Sequence, residues 1–382
     1  MARLGDVCTV ISGSTPKTNT SEYWDGDIKW ITPAELNEDS FYLYDSQRHI
    51  TELGKEKTGL SYMPAGTVIL SSRAPIGKTA IAGCEMCCNQ GFKNLICSDV
   101  IFNEYLYYFL KGKTAYLNSL GRGATFKEIS KSIVENIEIR LPTLEDQKQI
   151  GRQFGEVYRL ISLRKQQLAK LDELVKARFV ELFGDPVYNQ INWDTDAVEN
   201  LCAEIYGGGT PSKAHPEYYE GGDIPWVSSK DMKTDVLYDS QIRINQLGVE
   251  NSTAKMVPIN SVIMVIRSGI LKHTLPVAIN AVPITVNQDL KVFIPNERVL
   301  PLFLMYLFKM LEKDILSGVR AVTADNIEFS SLKERKIIVP PIELQEQFAT
   351  FVEQTDKSKL AVQQSLDKLE TLKKSLMQKY FW

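Results

Sequence analysis

The sequence predicts an α+β protein with two mixed α/β globular domains, related by an internal repeat and joined by two long helices that pair as an antiparallel coiled coil. Three observations predict this fold. The same ordered motifs occur twice along the 382 residues. In the first part of each copy, short β-rich runs are interrupted by Gly, Pro and Asn. In the second part, a proline-free helical segment carries heptad spacing.

Length and charge restrict the possible functions. At roughly 150 residues per domain, the chain has room for two or three domains with cores of their own. The formal charge is −3, which argues against a strongly basic nucleic-acid binder but leaves room for a local basic surface. The longest apolar stretch, residues 299–308, is too short to span a bilayer. Six cysteines without an export signal predict reduced thiols and a cytoplasmic location.

The repeat is clearest where each copy begins. A Thr-Pro pair is followed by Tyr-(Trp/Tyr) and then by Gly-Asp-Ile-x-Trp-(Ile/Val). The first occurrence starts at Thr15 and the second at Thr210. Agreement over so many ordered positions indicates a duplicated unit.

The second half of each copy repeats as well, at an offset of 198 residues. Asn89-Gln90 matches Asn287-Gln288, and the pattern (Leu/Val)-Pro-x-(Leu/Ile)-Glu-x-Gln-x-Gln occurs at 141–149 and 339–347. These matches predict four segments. They are a first globular domain at 1–141 (head 1), a helix at 142–184, a second globular domain at 185–339 (head 2) and a helix at 340–382.

The helical segments carry one heptad phase in both copies. Apolar residues recur with 4-3 spacing, which predicts a coiled coil. Gly184-Asp185-Pro186 ends the first helix, and Thr143 with Asp146 forms an N-cap pattern at its start. We predict an interface made of Ile150, Phe154, Val157, Ile161, Leu168, Leu171, Val175, Phe348, Val352, Val362, Leu366, Leu369 and Leu376.

Paired helices of this length favour a two-headed molecule. The alternative is two unrelated amphipathic helices, each packed on its own domain, but a helix of some 38 residues is on the order of 57 Å long. A domain of 150 residues would not cover such a helix. A partner with two equivalent, spaced features would suit two similar heads, and duplex DNA with two half-sites is the obvious candidate.

Motifs that resemble catalytic or metal sites fail on inspection. Gly77-Lys78-Thr79 lacks the first glycine of a phosphate-binding loop. The acidic pair Asp25 and Asp27 with Lys29 loses its lysine in copy two, where Pro225 stands. Cys84, Cys87 and Cys88 have no second ligand pair at zinc spacing, so ordinary apolar thiols are favoured. We therefore predict no catalytic residues and no metal site.

The repeated motifs resemble the specificity subunits of type I restriction-modification enzymes. The likeness rests on the two Thr-Pro openings at Thr15 and Thr210 and on the two helix-start motifs at Leu141 and Val339, and it covers essentially the whole chain. It implies that each head is a target-recognition domain that reads one half of a bipartite, gapped DNA site. It also implies that the helices space the domains and bind methyltransferase subunits, and that the chain itself is non-catalytic.

The resemblance and the repeat together divide the candidate DNA-binding residues into two groups. Basic residues at matching positions in both copies are candidates for phosphate contacts, because such contacts carry no sequence information. These are Arg73 with Arg267 and Lys78 with Lys272. Lys17 and Lys213, which lie just after the two Thr-Pro pairs, are phosphate candidates as well. Residues in divergent stretches are candidates for base reading. These are Asn37, Arg48, Arg122, Lys127, Lys230, Arg243, His273, Arg320 and Asn326.

The resemblance also implies partners and cofactors. The expected partners are double-stranded DNA with a bipartite site, two methyltransferase (modification) subunits and, in a complete system, two restriction subunits. No membrane association is expected. S-adenosylmethionine, ATP and magnesium are expected on the partner subunits and no cofactor on this chain. The alternative is a coiled-coil scaffold that organises protein partners without reading bases. An enzyme with an unrecognised site is a third possibility, which turnover by the isolated chain would reveal.

Overall fold

In the computed structural model the chain divides into two compact units. The structure describes residues 1–122, 127–318, 320–321 and 325–382, with only the backbone at 320, 321 and 325. One unit contains Met1–Gln167 with Val362–Trp382, and the other contains Leu168–Ala361. The dividing points fall midway along the two long helices. Each unit therefore combines one head with one half of each long helix.

Head 1 is built from short strands and helices that form one five-stranded and one three-stranded sheet. The larger sheet has the strand order β2-β9-β6-β7-β4 and the smaller β5-β3-β8, while β1 pairs with β10. In chain order the elements are β1 (Ala2–Arg3), α1 (Leu4–Val7), β2 (Cys8–Ser12), β3 (Trp24–Ile31), β4 (Tyr42–Leu43), β5 (Arg48–Ile50), α2 (Glu52–Thr58), β6 (Val68–Leu70), β7 (Thr79–Ala82), β8 (Cys87–Cys88), β9 (Lys93–Cys97), α3 (Asn103–Gly112), α4 (Thr114–Leu120), α5 (Lys131–Glu135) and β10 (Glu138–Ile139).

Head 2 repeats both sheets of head 1 and its pairing of first and last strands, and it has one further strand pair. Its larger sheet has the order β12-β19-β16-β17-β14 and its smaller sheet β15-β13-β18, while β11 pairs with β22 and β20 with β21. The elements are β11 (Thr195–Ala197), β12 (Cys202–Gly207), β13 (Ile224–Val227), β14 (Val236–Leu237), β15 (Arg243–Ile244), α7 (Gln246–Glu250), β16 (Val262–Val265), β17 (Val277–Asn280), β18 (Thr285–Val286), β19 (Leu290–Pro295), α8 (Pro301–Met310), α9 (Glu312–Ser317), β20 (Arg320–Ala321), β21 (Asp325–Asn326), α10 (Phe329–Glu334) and β22 (Lys336–Ile338).

Two helices of 40 residues each follow the heads, as predicted: α6 (Leu144–Phe183) and α11 (Ile342–Phe381). The Thr143 hydroxyl accepts a hydrogen bond from the Asp146 backbone N–H and so caps the start of α6. At its other end Gly184 adopts a positive φ of 73°. That left-handed conformation ends the helix and costs glycine little. Among the residues that the structure describes, none of the helices combines the length and apolar character needed to cross a bilayer.

The two long helices run antiparallel within each unit. In the unit of head 1, Phe154 stacks on Phe381 with ring centroids 5.3 Å apart, and Arg164 Nε donates to Ser365 Oγ at 3.2 Å. In the unit of head 2, Lys359 Nζ lies 2.7 Å from an Asp172 carboxylate oxygen. As residue numbers rise along α6, those of its partners on α11 fall, which defines antiparallel pairing and confirms that part of the prediction.

The buried face departs from the heptad near the end of each helix. The heptad predicts that Arg178 and Leu376 face the seam, but the most buried neighbours are Phe179 and Met377, one residue later. Phe183 and Phe381 continue this shifted face. Here the helices pack on globular cores, so they follow the straight helical period of 3.6 residues rather than the supercoiled 3.5.

One buried glutamine at the start of each long helix fixes the helix to its head. Gln147 accepts a hydrogen bond from the Phe102 N–H at 2.8 Å and donates to the carbonyls of Val100, at 3.0 Å, and Pro142, at 2.9 Å. Its side chain is fully buried. These three bonds use both N–H donors of the amide and its oxygen, which explains why the helix-start motif contains this glutamine.

Gln345 makes the equivalent bonds at the start of α11. It accepts from the Leu300 N–H at 2.8 Å and donates to the carbonyls of Arg298, at 3.0 Å, and Pro340, at 2.9 Å. The repeated motif is therefore a repeated joint between a head and its following helix.

We predict that Gln147→Ala lowers the free energy of unfolding by about 1–3 kcal/mol, because it leaves buried backbone groups without partners. Chemical denaturation of the full chain measures this. Gln149→Ala is the matched control, since Gln149 belongs to the same motif but is exposed. Equal destabilisation by the two variants would contradict the assignment of Gln147 as the joint.

Candidate nucleic-acid interface

The repeated opening motif holds the start of each head in place. In head 1 the Thr15 hydroxyl bonds the Gln90 side-chain oxygen, and the Trp30 indole N–H donates to the Ser14 carbonyl at 3.0 Å. The Thr-Pro, Gly-Asp-Ile-x-Trp and Asn-Gln motifs are therefore neighbours in space, and these side chains serve the fold of the head.

Head 2 contains the same contacts. The Thr210 hydroxyl bonds the Gln288 side-chain oxygen, and the Trp226 indole N–H donates to the Gly209 carbonyl at 2.9 Å. The structure therefore explains why these motifs occur in both copies.

The phosphate candidates have different environments. Lys17 directly follows the first Thr-Pro pair, Lys213 lies one residue beyond the second, and both are exposed. Lys78 is half-buried, and its amine donates to the carbonyls of Leu36, at 2.6 Å, and Pro33, at 3.3 Å. Its repeat partner Lys272 is exposed. The two exposed lysines after the Thr-Pro pairs are thus more accessible to a phosphate than Lys78.

Arg73 lies beside a hairpin in head 1 that also carries Arg122. Glu128 pairs with Arg122 across the hairpin through two backbone hydrogen bonds of 3.0 Å. Glu128 also forms a backbone bridge with Arg73 on its other side. One acidic residue therefore lies between two arginines on neighbouring backbone segments, an arrangement we call the arginine-flanked position.

Head 2 has the same arrangement with a different central residue. Asn326 pairs with Arg320 across the strands β20 and β21, and it bridges Arg267 on the other side. The two flanking residues are arginines in both heads, whereas the central residue is Glu128 in one and Asn326 in the other. The side chain of Arg320 lies outside the described residues.

The Glu128 carboxylate is held by two cations. Arg73 Nε donates to it at 2.9 Å, and Lys93 Nζ at 3.1 Å. Burial by itself would raise the pKa of Glu128, but the hydrogen bonds and charges of Lys93 and Arg73 outweigh it, so that the pKa is lowered. Glu128 is therefore ionised at neutral pH.

In head 2 the acidic partner of the arginine comes from a different segment. Arg267 Nε donates to the Asp289 carboxylate at 2.7 Å, and Asp289 precedes β19 rather than lying on the hairpin. Asn326 is exposed and neutral. The arginine-flanked position thus carries a negative charge in head 1 and an amide in head 2.

Residues that the sequence did not single out complete this site. Glu128 and Asp289 became visible only through their contacts with Arg73 and Arg267. Lys93 and its equivalent Lys291 lie 198 residues apart, so the repeat offset alone would have found them. Burial lowers the pKa of Lys291, whose amine lies 4.4 Å from the centre of the Phe329 ring.

The remaining base-reading candidates lie on exposed loops and strand ends. The Arg48 guanidinium lies 3.6 Å from the centre of the Trp24 ring, and Arg243 forms two hydrogen bonds with Asp239 at 3.0 and 2.7 Å. The others are also exposed, and they are Asn37, Arg122, Lys127, Lys230 and His273. The structure brings Arg122 close to Arg73. The assignment of base contacts to these residues stays a prediction.

The fold and the repeat agree with a known family. The family model for the type I restriction modification DNA specificity domain matches residues 1–173 and again residues 191–371. The chain belongs to this DNA specificity family. Each match includes one head and most of the helix after it, so the family unit coincides with the internal repeat. As a member, the chain is a DNA sequence-recognition subunit rather than a catalytic one, and it works with other subunits.

One named relative matches almost the whole chain, and another matches part of it. The MjaIX specificity subunit of Methanocaldococcus jannaschii is 30% identical over 99% of this chain and 91% of its own length. The EcoR124I/EcoR124II specificity subunit of Escherichia coli is 37% identical over 40% of this chain and 38% of its own. The crystal structure of the S subunit from M. genitalium shares the fold, with a TM-score of 0.61 at 14% identity over 100% of this chain and 95% of that one.

We predict that Lys17→Ala and Lys213→Ala each reduce the salt dependence of DNA binding by this specificity subunit. Losing one phosphate contact should reduce the slope of log K against log salt by about 0.9. Binding by the complex with methyltransferase subunits, measured on cognate and unrelated duplexes, tests this. The exposed Lys57 gives the control Lys57→Ala. A loss confined to cognate DNA would contradict a phosphate role.

Proposed function

We propose that each head reads one half of a bipartite, gapped DNA site, and that the arginine-flanked position contributes to the difference between the two half-sites. The observation that carries this proposal is the central residue, Glu128 in head 1 and Asn326 in head 2, between arginines at matching places. Features shared by the heads are suited to holding any duplex. Features that differ are suited to telling one half-site from the other.

The chemistry of the two central residues supports this division. A carboxylate only accepts hydrogen bonds and suits the amino group of cytosine, whereas the amide of asparagine both accepts and donates and suits adenine. The flanking Arg73 and Arg267 are held by Glu128 and Asp289. A DNA phosphate would have to displace those carboxylates to bind the arginines. The arginines are therefore suited to fixing the position of a duplex that is already bound, rather than to capturing it.

The long helices, in this proposal, space the heads and bind two methyltransferase subunits. The predicted apolar seam is used inside the chain, since Phe154 and Val352 are buried where α6 and α11 pack. A partner must therefore bind the outer faces of the helices. Leu174 and Leu372 are exposed there, at 49% and 46%, and they occupy equivalent positions of the repeat. Two equivalent apolar contacts fit two equivalent subunits.

The chemical steps belong, in this proposal, to the partner subunits in the cytoplasm. S-adenosylmethionine would be bound by the methyltransferase subunits. ATP and magnesium would be bound by restriction subunits when these are part of the complex. Among the residues that the structure describes, no group of three or more His, Cys, Asp or Glu side chains is placed to hold a metal ion. The chain would contribute the choice of DNA sequence.

We predict that Glu128→Asn changes the base preference at one position of one half-site, by about 1–3 kcal/mol of discrimination. Asn326→Glu should change the other half-site only. The measurement is methyl transfer by the full complex to a library of duplexes with every base at each position.

Asp289→Asn is the matched control, because it removes the carboxylate partner of Arg267 without changing the central residue. It should alter overall affinity and leave base preference unchanged. If neither Glu128→Asn nor Asn326→Glu changed the base preference, the proposed role of these residues in base reading would be wrong. Complete indifference of the complex to DNA sequence would instead favour a scaffold without base readout.

A further inference from the structure

Two cysteines face each other across the large sheet of head 1. Cys8 is the first residue of β2 and Cys97 the last residue of β9, and the antiparallel register places them directly opposite. The adjacent pair is bonded, since the Ser98 N–H donates to the Val7 carbonyl at 3.0 Å. Hydrogen-bonded and non-bonded pairs alternate in such ladders, so Cys8 and Cys97 form a non-bonded pair, in which side chains come closest.

This geometry matches the requirements of a disulfide. Opposite residues of a non-bonded pair have Cα atoms about 4.5 Å apart, and disulfides span Cα distances of about 4.4–6.8 Å. Cys97 packs against the core cluster that contains Cys8, and the neighbouring Cys97 together with burial raises the pKa of the Cys8 thiol. Both groups are free thiols in this structure.

The two thiols differ in access. Cys8 is buried, with 7% of its surface exposed, whereas Cys97 is half-buried at the strand end. A solvent oxidant therefore reaches Cys97 first, and Cys8 lies beside it as the second thiol. An accessible thiol with a second thiol beside it has two of the features of reversible thiol sites, access for the oxidant and a resolving partner.

We propose that Cys8 and Cys97 form a redox-modification site that is oxidised to a cross-strand disulfide by hydroperoxides. The Cys97 sulfur attacks the peroxide O–O bond, which gives a sulfenic acid and one water from hydrogen peroxide. The Cys8 sulfur then displaces the hydroxyl from the sulfenic sulfur as a second water, and the S–S bond forms. The two thiols lose two electrons, the peroxide gains them, and a small-molecule dithiol restores both thiols.

Head 2 supplies an internal control. The equivalent of Cys8 is Cys202, but the residue opposite it is Pro295. No second thiol faces Cys202 across β12 and β19. Oxidation should therefore form a disulfide only in head 1, where it cross-links β2 to β9.

Mass spectrometry of the full chain tests the site. After hydrogen peroxide treatment and alkylation under denaturing conditions, two of the six thiols should be protected. Peptide mapping should show a Cys8–Cys97 cross-link that dithiothreitol removes. The wild-type map decides the question even if a variant fails to fold. A cross-link between other cysteines, or unmodified Cys8 and Cys97 at peroxide levels that oxidise exposed methionines, would overturn the proposal.

Variants test the order of the two steps. In Cys8→Ser the sulfenic acid on Cys97 has no thiol to react with, so a dimedone adduct should accumulate at Cys97. Cys97→Ser should abolish both adduct and cross-link, while Cys202→Ser should leave the cross-link yield unchanged. An adduct on Cys8 in Cys97→Ser, equal in yield to that on Cys97 in Cys8→Ser, would overturn the assigned order.

Discussion

The burial of aromatic side chains from both long helices in the core of each head is the constraint on which the structure depends. Phe154 of α6 and Phe381 of α11 belong to the core of head 1, and Phe179 and Phe348 belong to that of head 2. Fully burying such a side chain is worth about 1.5–3 kcal/mol. Each head is thus completed by segments from distant parts of the chain, and the antiparallel direction of the helices follows from this requirement.

The sequence predicts the parts of this architecture that repeat or are periodic. The duplicated Thr-Pro and Glu-x-Gln motifs predict two copies, and heptad spacing predicts paired helices. The shift to Phe179 and Phe381 was missed because a heptad rule assumes one supercoiled partner, while these helix ends pack against a globular core. The repeat marks Gln147 as a residue present in both copies but does not reveal its hydrogen bonds. Two of its partners, Val100 and Phe102, lie more than 40 residues earlier in the chain.

The arginine-flanked position shows why the site was harder to predict than the fold. Arg73 and Arg122 are 49 residues apart in sequence, and only the hairpin places Glu128 between them. Overall charge gave no indication of it, because the acidic partners Glu128 and Asp289 balance the basic residues locally. That balance limits counterion release by the isolated chain, so tight DNA binding is expected to need phosphate contacts from partner subunits.

Modified-base sequencing of the host genome would show whether the two heads read two half-sites independently. Three strains are compared, with the gene intact, deleted, or carrying residues 1–141 from another family member. We expect a methylated, gapped bipartite motif that disappears on deletion and changes in one half only after the exchange. A change in both halves of the motif after the exchange, or methylation of the motif that persists in the deletion strain, would contradict independent reading by the two heads.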